Sequence, residues 1–328
     1  SPFILRHFAI EKEKIIYNMN NMNYNSYINI GFGIDKNFIR PMGVSMTSIV
    51  KNNPNENIIF HIFIDTIDFI SLNLLEKFAK QYNIAMIIYI INPNIFNKLP
   101  STTHFAKATY NRLLMPKILN NIVDRLIYID ADIQCFGSLS NLMKLDLKNN
   151  IVAVVGDLKY VREKQIKLLS LKSNQYFNAG FMYIDVKKWN EENISDKVIK
   201  VSFDNVGNLP WLDQDALNII LDNKCLYLDK KYDFLLNMKH KKRKVPENVI
   251  FVHYVGRYKP WTKWCLHPFK KHFLSVSKES LWRNIPLIEP VNYKSMKMMG
   301  RSSFLYGKYI NAFYWYLKYA VYKIKSKL

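Results

Sequence analysis

Short apolar runs alternate along this chain with segments whose apolar residues recur every three or four positions. The runs are rich in β-branched and aromatic residues and are short, so they predict strands, at 27–33, 58–65, 84–91, 125–129, 151–155, 177–185 and 249–252. The segments between them predict amphipathic helices, at 41–50, 74–82, 107–116 and 213–218. Strands that alternate with helices favour a mainly parallel sheet covered on both faces, which is an α/β fold.

The two ends of the chain have a different pattern. Residues 1–26 are polar and rich in Asn, with no sustained period, which predicts a short helix or an arm. Residues 305–328 combine many aromatic residues with lysines and predict a helix. No uncharged run of about 18 apolar residues occurs, and residues 1–10 are too short an apolar run for a signal peptide. We therefore expect neither a membrane span nor a secretory leader.

Carboxylates stand where several predicted strands end. Asp35 and Asp65 follow the first two strands, and Asp130 and Asp132 follow the fourth. Binding residues of parallel sheets collect at the carboxyl ends of the strands. Asp130 and Asp132, two apart in an extended segment, would share one face, and a hard divalent cation takes such oxygens while it keeps positions open for water or phosphate. The pair predicts a metal-diphosphate site, although an Asp-x-Asp pair by itself is also common in turns and helix caps.

Composition limits the partners of the chain. Its 328 residues carry a net charge of +21 and give a pI near 9.6, so we expect an anionic partner: nucleic acid, acidic lipid or phosphorylated sugar. Nucleic acid loses support because the basic run 239–244 (KHKKRK) has no interleaved aromatic residue. That run predicts a solvated loop, and contact with acceptor phosphates or anionic lipid stays open. Three cysteines without a CxxC pair argue against zinc and structural disulfides and fit a reducing cytosol.

Six segments occur in an order that points to a known family. They are residues 28–38 (INIGFGIDKNF), 108–113 (ATYNRL), 128–132 (YIDAD), 177–180 (FNAG), 212–217 (LDQDAL) and 253–261 (HYVGRYKPW). Together they resemble the blocks of glycosyltransferase family 8, retaining enzymes of GT-A type fold, over about residues 27–265. Within that family the chain is most similar to bacterial enzymes that add glucose or galactose to the outer core of lipopolysaccharide. Residues 261–268 (WTKWCLHP) and the basic aromatic tail carry this narrower resemblance.

The resemblance implies a metal and a diphosphate site. Asp130, Asp132 and His253 would bind Mn²⁺ or Mg²⁺, and the ion would hold the diphosphate of the donor. A neutral imidazole suits manganese better than magnesium. Gly256 and Lys259 would contact the diphosphate, Lys259 as a point charge that offsets charge on the departing UDP.

The resemblance also implies the nucleoside and sugar contacts of a UDP-sugar. Gly33, Asp35 and Asn37 would line the uridine pocket, where Gly33 has no side chain and lets the nucleotide approach the backbone. The residues around the transferred hexose would be Arg112, Asn178, Ala179, Asp213 and Gln214.

Gln214, Asp213 and Lys259 are the catalytic candidates that the resemblance implies. During transfer, negative charge builds on the departing phosphate while the sugar gains oxocarbenium character. Retention of configuration needs either a covalent intermediate or attack from the same face with the leaving phosphate as base. Gln214 is a poor nucleophile. Asp213 is also the predicted N-cap residue of its helix, and it is not clearly placed to act as the nucleophile. We therefore favour displacement from the same face.

These inferences combine into one expected organisation. We expect an N-terminal arm at 1–26, a GT-A catalytic domain at 27–268, and a helical, basic-aromatic membrane-association region at 269–328. The expected donor is UDP-glucose or UDP-galactose and the acceptor is the lipid A–core. The enzyme would be cytoplasmic and peripheral, on the anionic inner-membrane surface, and would bind no nucleic acid. Two alternatives stay open: a family 8 transferase with a protein or soluble saccharide acceptor, and a basic membrane-binding module without catalysis.

Overall fold

A computed structural model describes residues 14–18, 23–92, 94 and 107–326 of the chain. Its strands are β1 (Lys14–Tyr17), β2 (Ile28–Ile34), β3 (Ile58–Ile64), β4 (Ala85–Ile90), β5 (Arg125–Ile129), β6 (Ile133–Cys135), β7 (Val152–Gly156), β8 (Phe177–Asp185), β9 (Cys225–Leu228), β10 (Phe234–Leu235) and β11 (Phe251–His253). Its helices are α1 (Ile39–Asn52), α2 (Phe69–Tyr82), α3 (Asn111–Ile118), α4 (Ser140–Met143), α5 (Lys159–Leu169), α6 (Val186–Glu191), α7 (Ile194–Asp204), α8 (Asp213–Ile220), α9 (Lys270–Glu279), α10 (Tyr293–Leu305) and α11 (Tyr309–Lys325).

Eight strands form the main sheet, in the order β1-β4-β3-β2-β5-β8-β7-β9. Parallel pairing joins β4 to β3, β3 to β2, β2 to β5 and β7 to β9. Strand β8 runs antiparallel to both of its neighbours, β5 and β7. The mainly parallel sheet predicted from the alternating pattern is therefore confirmed, with β8 reversed near its middle and β1 reversed at one edge, where it pairs antiparallel with β4. Strand β8 begins at the edge of the sheet where its neighbours β5 and β7 end.

Helices cover both faces of the main sheet. On one face, Phe32 of β2 lies in a core with Met46 of α1 and Phe78 of α2. On the other face, Leu126 of β5 lies in a core with Leu217 of α8. Side chains alternate between the two faces along a strand, so both faces of β2 and β5 must be apolar. The near-continuous apolar runs of the sequence follow from this burial.

Three short strands form a second sheet, in the order β10-β11-β6. The run at 249–252 predicted a core strand, but the strand here is Phe251–His253 and it belongs to this smaller sheet. Strand β6 follows β5 after a turn, so the second sheet continues from the end of the first. His253 therefore comes close to the carboxyl end of β5 although it is distant in sequence.

The described part of the N-terminal region contains a strand and a short 3-10 helix, Tyr24–Ser26. Our prediction of a short helix or an arm for residues 1–26 did not include the strand. Lys14–Tyr17 pairs antiparallel with β4 and forms an edge of the main sheet. Four residues are too few to show an alternating pattern within a polar, Asn-rich sequence. Residues 1–13 and 19–22 lie outside the described residues. The domain limits at 26 and 268 stay predictions.

The C-terminal region is helical, as its sequence predicted. Helices α10 and α11 are joined by a reversal at Gly307, whose φ of +73° favours glycine. They pack closely at Gly300, where a Cβ would lie 3.2 Å from the Tyr316 ring. Among the helices described, none has the length and apolar character needed to cross a bilayer.

His61, in the middle of β3, is a fully buried histidine with neutral partners. Its Nδ1 lies 3.2 Å from the Tyr89 hydroxyl and its Nε2 lies 3.0 Å from Asn29 Oδ1. Burial, followed by the charge of Lys14, lowers the pKa of His61 from 6.5 to about 3. As pH falls below 6.5, the unfolded chain takes up a proton at this position and the folded protein does not. Stability is therefore lost as pH falls from 6.5 toward 3.

We predict that this loss can be measured. Between neutral pH and about pH 5, the free energy of unfolding of the wild type should fall by roughly 2 kcal/mol more than that of His61→Gln. Urea unfolding followed by tryptophan fluorescence at each pH would measure the difference. His240→Gln, which removes an exposed histidine from a surface loop, should keep the wild-type slope. Equal slopes for the wild type and His61→Gln would contradict the prediction.

Candidate functional site

The topology of the main sheet brings four segments to one edge. Strands β2, β5 and β7 run in the same direction, so Asp35, Asp130 and Asp157, which directly follow them, lie at this edge. The reversed strand β8 begins here, and its Gly180 accepts a hydrogen bond of 2.8 Å from the Asp130 N–H. Polar residues at 177–180 therefore face the acidic residues that follow β5.

Asp130, Asp132 and His253 are brought together as predicted. Strand β11 pairs antiparallel with β6 so that His253 is opposite Ile133. His253 Nε2 lies 3.2 Å from Asp132 Oδ1 and 3.9 Å from Asp130 Oδ2. One possible ligand atom from each of the three residues falls within 4.8 Å of the other two.

The three side chains fit a divalent cation. Carboxylate oxygens and a neutral imidazole nitrogen are ligands for such ions. Adjacent ligands of an octahedral ion with bonds of about 2.1 Å are about 3 Å apart. The 3.2 Å between His253 Nε2 and Asp132 Oδ1 matches adjacent positions. Three protein ligands would leave other positions of the ion for phosphate oxygens.

The charges at this edge hold Asp132 ionised. Burial raises the pKa of Asp132, but the charges of Lys259 and His253 outweigh it and hold the pKa below its usual range. Lys259 Nζ contacts Asp132 Oδ2 and the carbonyl oxygen of Tyr254. Burial lowers the pKa of His253, but Asp132 and Asp233 outweigh it and raise the pKa to about 10. The carboxylates therefore favour positive charge at the position of His253.

Gly180 allows the close approach of the three side chains. A Cβ at Gly180 would lie 2.3 Å from His253 Cε1 and 2.9 Å from Asp130 Oδ2. Both distances are shorter than a carbon contact permits, and the His253 ring is buried among fixed neighbours. Only glycine fits between β5 and β11 at this point.

Arg112 connects the acidic residues to the predicted sugar pocket. It is buried in α3, with Nη2 3.1 Å from Asp130 Oδ1, Nε 3.1 Å from Asp213 Oδ2, and Nη1 donating to the Ala179 carbonyl at 2.5 Å. Its guanidinium also stacks over the Tyr128 ring, 4.7 Å from the centroid. Burial lowers the pKa of Arg112, but the neighbouring acids outweigh this and raise it. The side chain thus pairs two carboxylates at once.

The amide of Gln214 is held at both ends. Its Oε1 accepts from the Ala179 N–H at 3.0 Å, and its Nε2 donates to Asp157 Oδ2 and to the Tyr176 hydroxyl, both at 2.9 Å. Asn178 donates to the same oxygen of Asp157 at 3.0 Å. Burial raises the pKa of Asp157, and these donors oppose it. The predicted hexose contacts Asn178, Ala179 and Gln214 therefore form one hydrogen-bonded group.

The prediction that Asp213 is a helix N-cap is wrong. Helix α8 begins at Asp213, and the N-cap position belongs to Leu212, whose φ of +48° is strained for a leucine. The Trp211 N–H donates a hydrogen bond of 2.8 Å to Asp215 Oδ2 and so stabilises this turn. The Asp213 side chain is directed to Arg112 instead. Burial raises the pKa of Asp213 to about 6, and Arg112 opposes the rise.

The remaining predicted residues lie in the loops at this edge. Gly33 is near the end of β2, and Asp35, which follows the strand, caps the next turn by accepting from the Asn37 N–H at 2.8 Å. Gly256 has φ of +80°, which favours glycine, and leads to the segment that carries Lys259. The structure therefore gathers the predicted groups along one edge, and the uridine contacts of Gly33, Asp35 and Asn37 stay predictions.

The sequence analysis assigned no role to several residues of this cluster: Tyr128, Asp157, Tyr176, Gly180 and Asp233, although Tyr128 and Gly180 lie in segments that carried the family resemblance. Asp157 carried the same signal as Asp130, because it also directly follows a buried strand. The Tyr128 hydroxyl donates to Asp130 Oδ1 at 2.5 Å, but an apolar run gives no sign of such a contact. Asp233 meets His253 only through strand pairing, so no local pattern could indicate it.

The basic run 239–244 lies in an exposed loop, as predicted. Lys241 Nζ is 5.0 Å from the centroid of the Tyr306 ring, and the Arg243 guanidinium is 5.1 Å from that of Phe234. The run is therefore next to the C-terminal helices.

Asp65, the carboxylate at the end of the second predicted strand, accepts a hydrogen bond of 2.8 Å from the Thr66 N–H in the turn after β3.

Comparisons with known proteins agree with this arrangement. The sequence profile of glycosyl transferase family 8 matches residues 29–265, and the profile of the family 8 C-terminal region matches residues 267–323. A lipopolysaccharide 1,3-galactosyltransferase of Salmonella typhimurium is 35% identical over 94% of this chain and 96% of its own length. A lipopolysaccharide 1,2-glucosyltransferase of Escherichia coli K12 is 33% identical over 84% of this chain and 86% of its own length.

Solved structures agree on the fold. The galactosyltransferase LgtC, in complex with donor and acceptor sugar analogs, superposes with a TM-score of 0.66 at 22% identity. The match covers 77% of this chain and 96% of that one. The expected GT-A type fold is confirmed by this likeness.

We predict that Gly180→Ala disrupts the cation site and leaves the fold intact. The new methyl group must displace the His253 ring or the Asp130 carboxylate, so affinity for Mn²⁺ in the presence of UDP should fall by roughly 10- to 100-fold. Calorimetric titration with Mn²⁺ would measure it, with circular dichroism as the check on folding. Gly156→Ala is the matched control, because its Cβ would meet only the flexible Arg162 side chain, at 3.2 Å. Wild-type affinity in Gly180→Ala would show that the three side chains do not bind the ion together.

Proposed function

The chain belongs to glycosyl transferase family 8, and we propose that it transfers a hexose from a UDP-sugar to the core oligosaccharide of lipopolysaccharide. The observation that carries this proposal is the convergence of Asp130, Asp132 and His253 within 4.8 Å at the edge of a GT-A type sheet. The lipopolysaccharide acceptor is supported by the two enterobacterial relatives, which match the chain over most of its length.

The proposed donor is UDP-glucose or UDP-galactose, and the two relatives support one sugar each by their names. Mn²⁺ or Mg²⁺ bound by Asp130, Asp132 and His253 would offset negative charge on the diphosphate. The presence of an imidazole among the three ligands favours Mn²⁺. Gly33, Asp35 and Asn37 would contact the uridine.

The residues around the cation site support a role in stabilising the leaving group. Lys259 already lies against Asp132, so its ammonium group is close enough to contact a diphosphate held there. Gly256 lets the backbone turn tightly before Lys259, and its lack of a side chain leaves room for phosphate oxygens. Arg112 holds Asp130 in place through its guanidinium. We propose that this fixed set of charges lowers the barrier to departure of UDP.

The transfer is proposed to retain configuration by attack from the same face. Both polar atoms of the Gln214 amide are hydrogen bonded, and an amide is a poor nucleophile. Asp213 is paired with Arg112 and buried, which supports a positioning role against the sugar. Asn178 and Ala179 would contact the sugar hydroxyls through the same hydrogen-bonded group. A phosphate oxygen of the leaving UDP would then accept the proton of the acceptor hydroxyl.

The tail supports attachment to the membrane that holds such an acceptor. Ile310, Phe313, Leu317, Val321 and Ile324 are spaced by three or four residues along α11, and each is at least half exposed. They form one apolar stripe that the described residues leave uncovered. A stripe of this kind, flanked by lysines, is typical of a helix that lies in the membrane interface.

Lysines of the same helix support an anionic surface as the target. Lys318 Nζ lies over the rings of Tyr314 and Trp315, and Lys323 Nζ lies over the Tyr319 ring, each within 5.5 Å of the centroid. Each lysine near an anionic leaflet contributes about 1 kcal/mol. We therefore propose that the enzyme is peripheral on the cytoplasmic face of the inner membrane.

The two alternatives differ from this proposal in what they require. A family 8 transferase with a protein or soluble saccharide acceptor would not need the apolar stripe of α11. A basic membrane-binding module without catalysis would not need Asp130, Asp132, His253 and Lys259 in mutual contact.

We predict that Asp132→Asn lowers hexose transfer by at least roughly a hundredfold, because one cation ligand loses its charge. UDP-glucose and UDP-galactose would each be incubated with lipopolysaccharide that lacks the outer core, and product would be followed by mass spectrometry. A chelator should stop the wild-type reaction, and added Mn²⁺ should restore it. Asp146→Asn, which changes an exposed carboxylate in a surface turn, serves as the control. Full turnover with the chelator present would rule out the metal-dependent mechanism.

We predict that the double variant Ile310→Glu and Phe313→Glu weakens binding to phosphatidylglycerol vesicles by roughly tenfold or more. These side chains are 90% and 67% exposed, so the substitutions should leave the fold intact. The matched control is Phe69→Glu with Ile70→Glu, which removes two apolar side chains of similar exposure from α2. Vesicle co-sedimentation would measure binding. Equal binding to the vesicles by the two double variants would show that the apolar stripe of α11 does not contribute to membrane binding.

A further inference from the structure

A buried carboxylate lies behind the imidazole of His253. Asp233 Oδ1 is 3.3 Å from His253 Nδ1, on the side of the ring away from Asp130 and Asp132. Strand pairing puts it there: β10 begins at the next residue, and its Phe234 and Leu235 pair in parallel with the last two residues of β11. The Asp233 side chain is completely buried. His253 therefore stands between one carboxylate behind it and two in front.

Asp233 has few ways to compensate its charge. Among the described residues, neither of its carboxylate oxygens meets a hydrogen-bond donor of good geometry, and His253 is its one ion-pair partner. Burial raises the pKa of Asp233, and His253 opposes the rise. A buried carboxylate without a donor costs several kcal/mol. Among the described residues, the ion pair with His253 is the interaction that can offset this cost.

The two ring nitrogens of His253 face different groups, and this assigns them different tasks. Nε2 faces Asp130 and Asp132, where a cation ligand needs a free lone pair. Nδ1 lies 3.3 Å from Asp233 Oδ1, close enough for the carboxylate to accept a proton from this nitrogen once the two groups align. A neutral imidazole carries one proton, so a proton held at Nδ1 leaves Nε2 free to bind. Hydrogen bonding of the second nitrogen to a carboxylate also makes the ligand nitrogen more basic.

On the basis of the cation site in the proposed function, we propose that Asp233 is a positioning residue that holds the proton of His253 on Nδ1. Its carboxylate selects the tautomer, and it adds a third negative charge close to the ion. Gly180 has a different role, because its lack of a side chain leaves the space that the His253 ring occupies. The position of the ring and its tautomer are therefore set by different residues.

The inference is tested by the binding of Mn²⁺ in the presence of UDP. Free Mn²⁺ would be counted by electron paramagnetic resonance. Asp233→Leu, which removes both the charge and the acceptor, should weaken Mn²⁺ binding by roughly 10- to 100-fold. Asp233→Asn keeps an oxygen that can accept from Nδ1 and is close in shape, so it should lose less than Asp233→Leu.

The matched control is Asp229→Asn. Asp229 lies on the same segment, is exposed, and accepts from the Lys231 N–H at 2.8 Å. The Asp229→Asn variant should bind Mn²⁺ with the affinity of the wild type. If both Asp233 variants bind Mn²⁺ with wild-type affinity and lose only thermal stability, the inference is wrong but the proposed function still stands. Absence of Mn²⁺ binding by the wild type would overturn the proposed function and this inference with it.

A second measurement needs no change at Asp233. With Mg²⁺ and UDP present, nitrogen-15 NMR of histidine-labelled protein should show His253 protonated at Nδ1 and not at Nε2. The signal would be assigned by its loss in His253→Gln. A proton on Nε2 would overturn the inference even if the Asp233 variants did not fold.

Discussion

Repulsion among carboxylates crowded at one edge of the main sheet is the constraint on which this site depends. Arg112 lies 3.1 Å from both Asp130 and Asp213, and it is the reason that the two can approach each other. Lys259 and His253 offset the remaining charge of the cluster. Because an unpaired buried charge costs several kcal/mol, Arg112 and Lys259 are as necessary as the acids. The charges are therefore held in a fixed arrangement by the fold itself, which is the condition for electrostatic stabilisation of a leaving group.

The reversal of strand β8 is the unpredicted feature of the fold that matters most for the site. A parallel strand in its place would begin at the far edge of the sheet, and Asn178 and Gly180 would be a strand length away from Asp130. In the reversed direction, Ile129 pairs with Phe181 and the Asp130 N–H donates to Gly180. The reversal of this one strand thus brings the predicted hexose contacts Asn178 and Ala179 beside the cation site.

Strand ends explain how much of the site could be predicted. Asp130 and Asp157 both follow apolar runs, so the sequence contains the signal for each, and resemblance to family 8 placed His253 with the first of them. Asp233 has no such signal, because its contact with His253 arises from pairing between a two-residue strand and a three-residue strand. Leu212 shows the opposite case. An acidic residue at a helix start predicts a cap, but pairing with Arg112 outweighed that local preference and left a strained leucine before the helix.

The segment that carries Lys259 and the tail share one apolar cluster. Tyr258, next to Lys259, lies in one apolar cluster with Met298 of α10. Burial raises the pKa of Tyr258, and the positive charge of Arg301 on α10 opposes the rise. The exposed stripe belongs to α11, which packs on α10 at Gly300. A membrane that bound this stripe would hold the segment that carries Lys259 at a fixed height and direction above the lipid. An acceptor that projects from the same surface would then meet the site in one orientation, which lowers the entropy lost on binding.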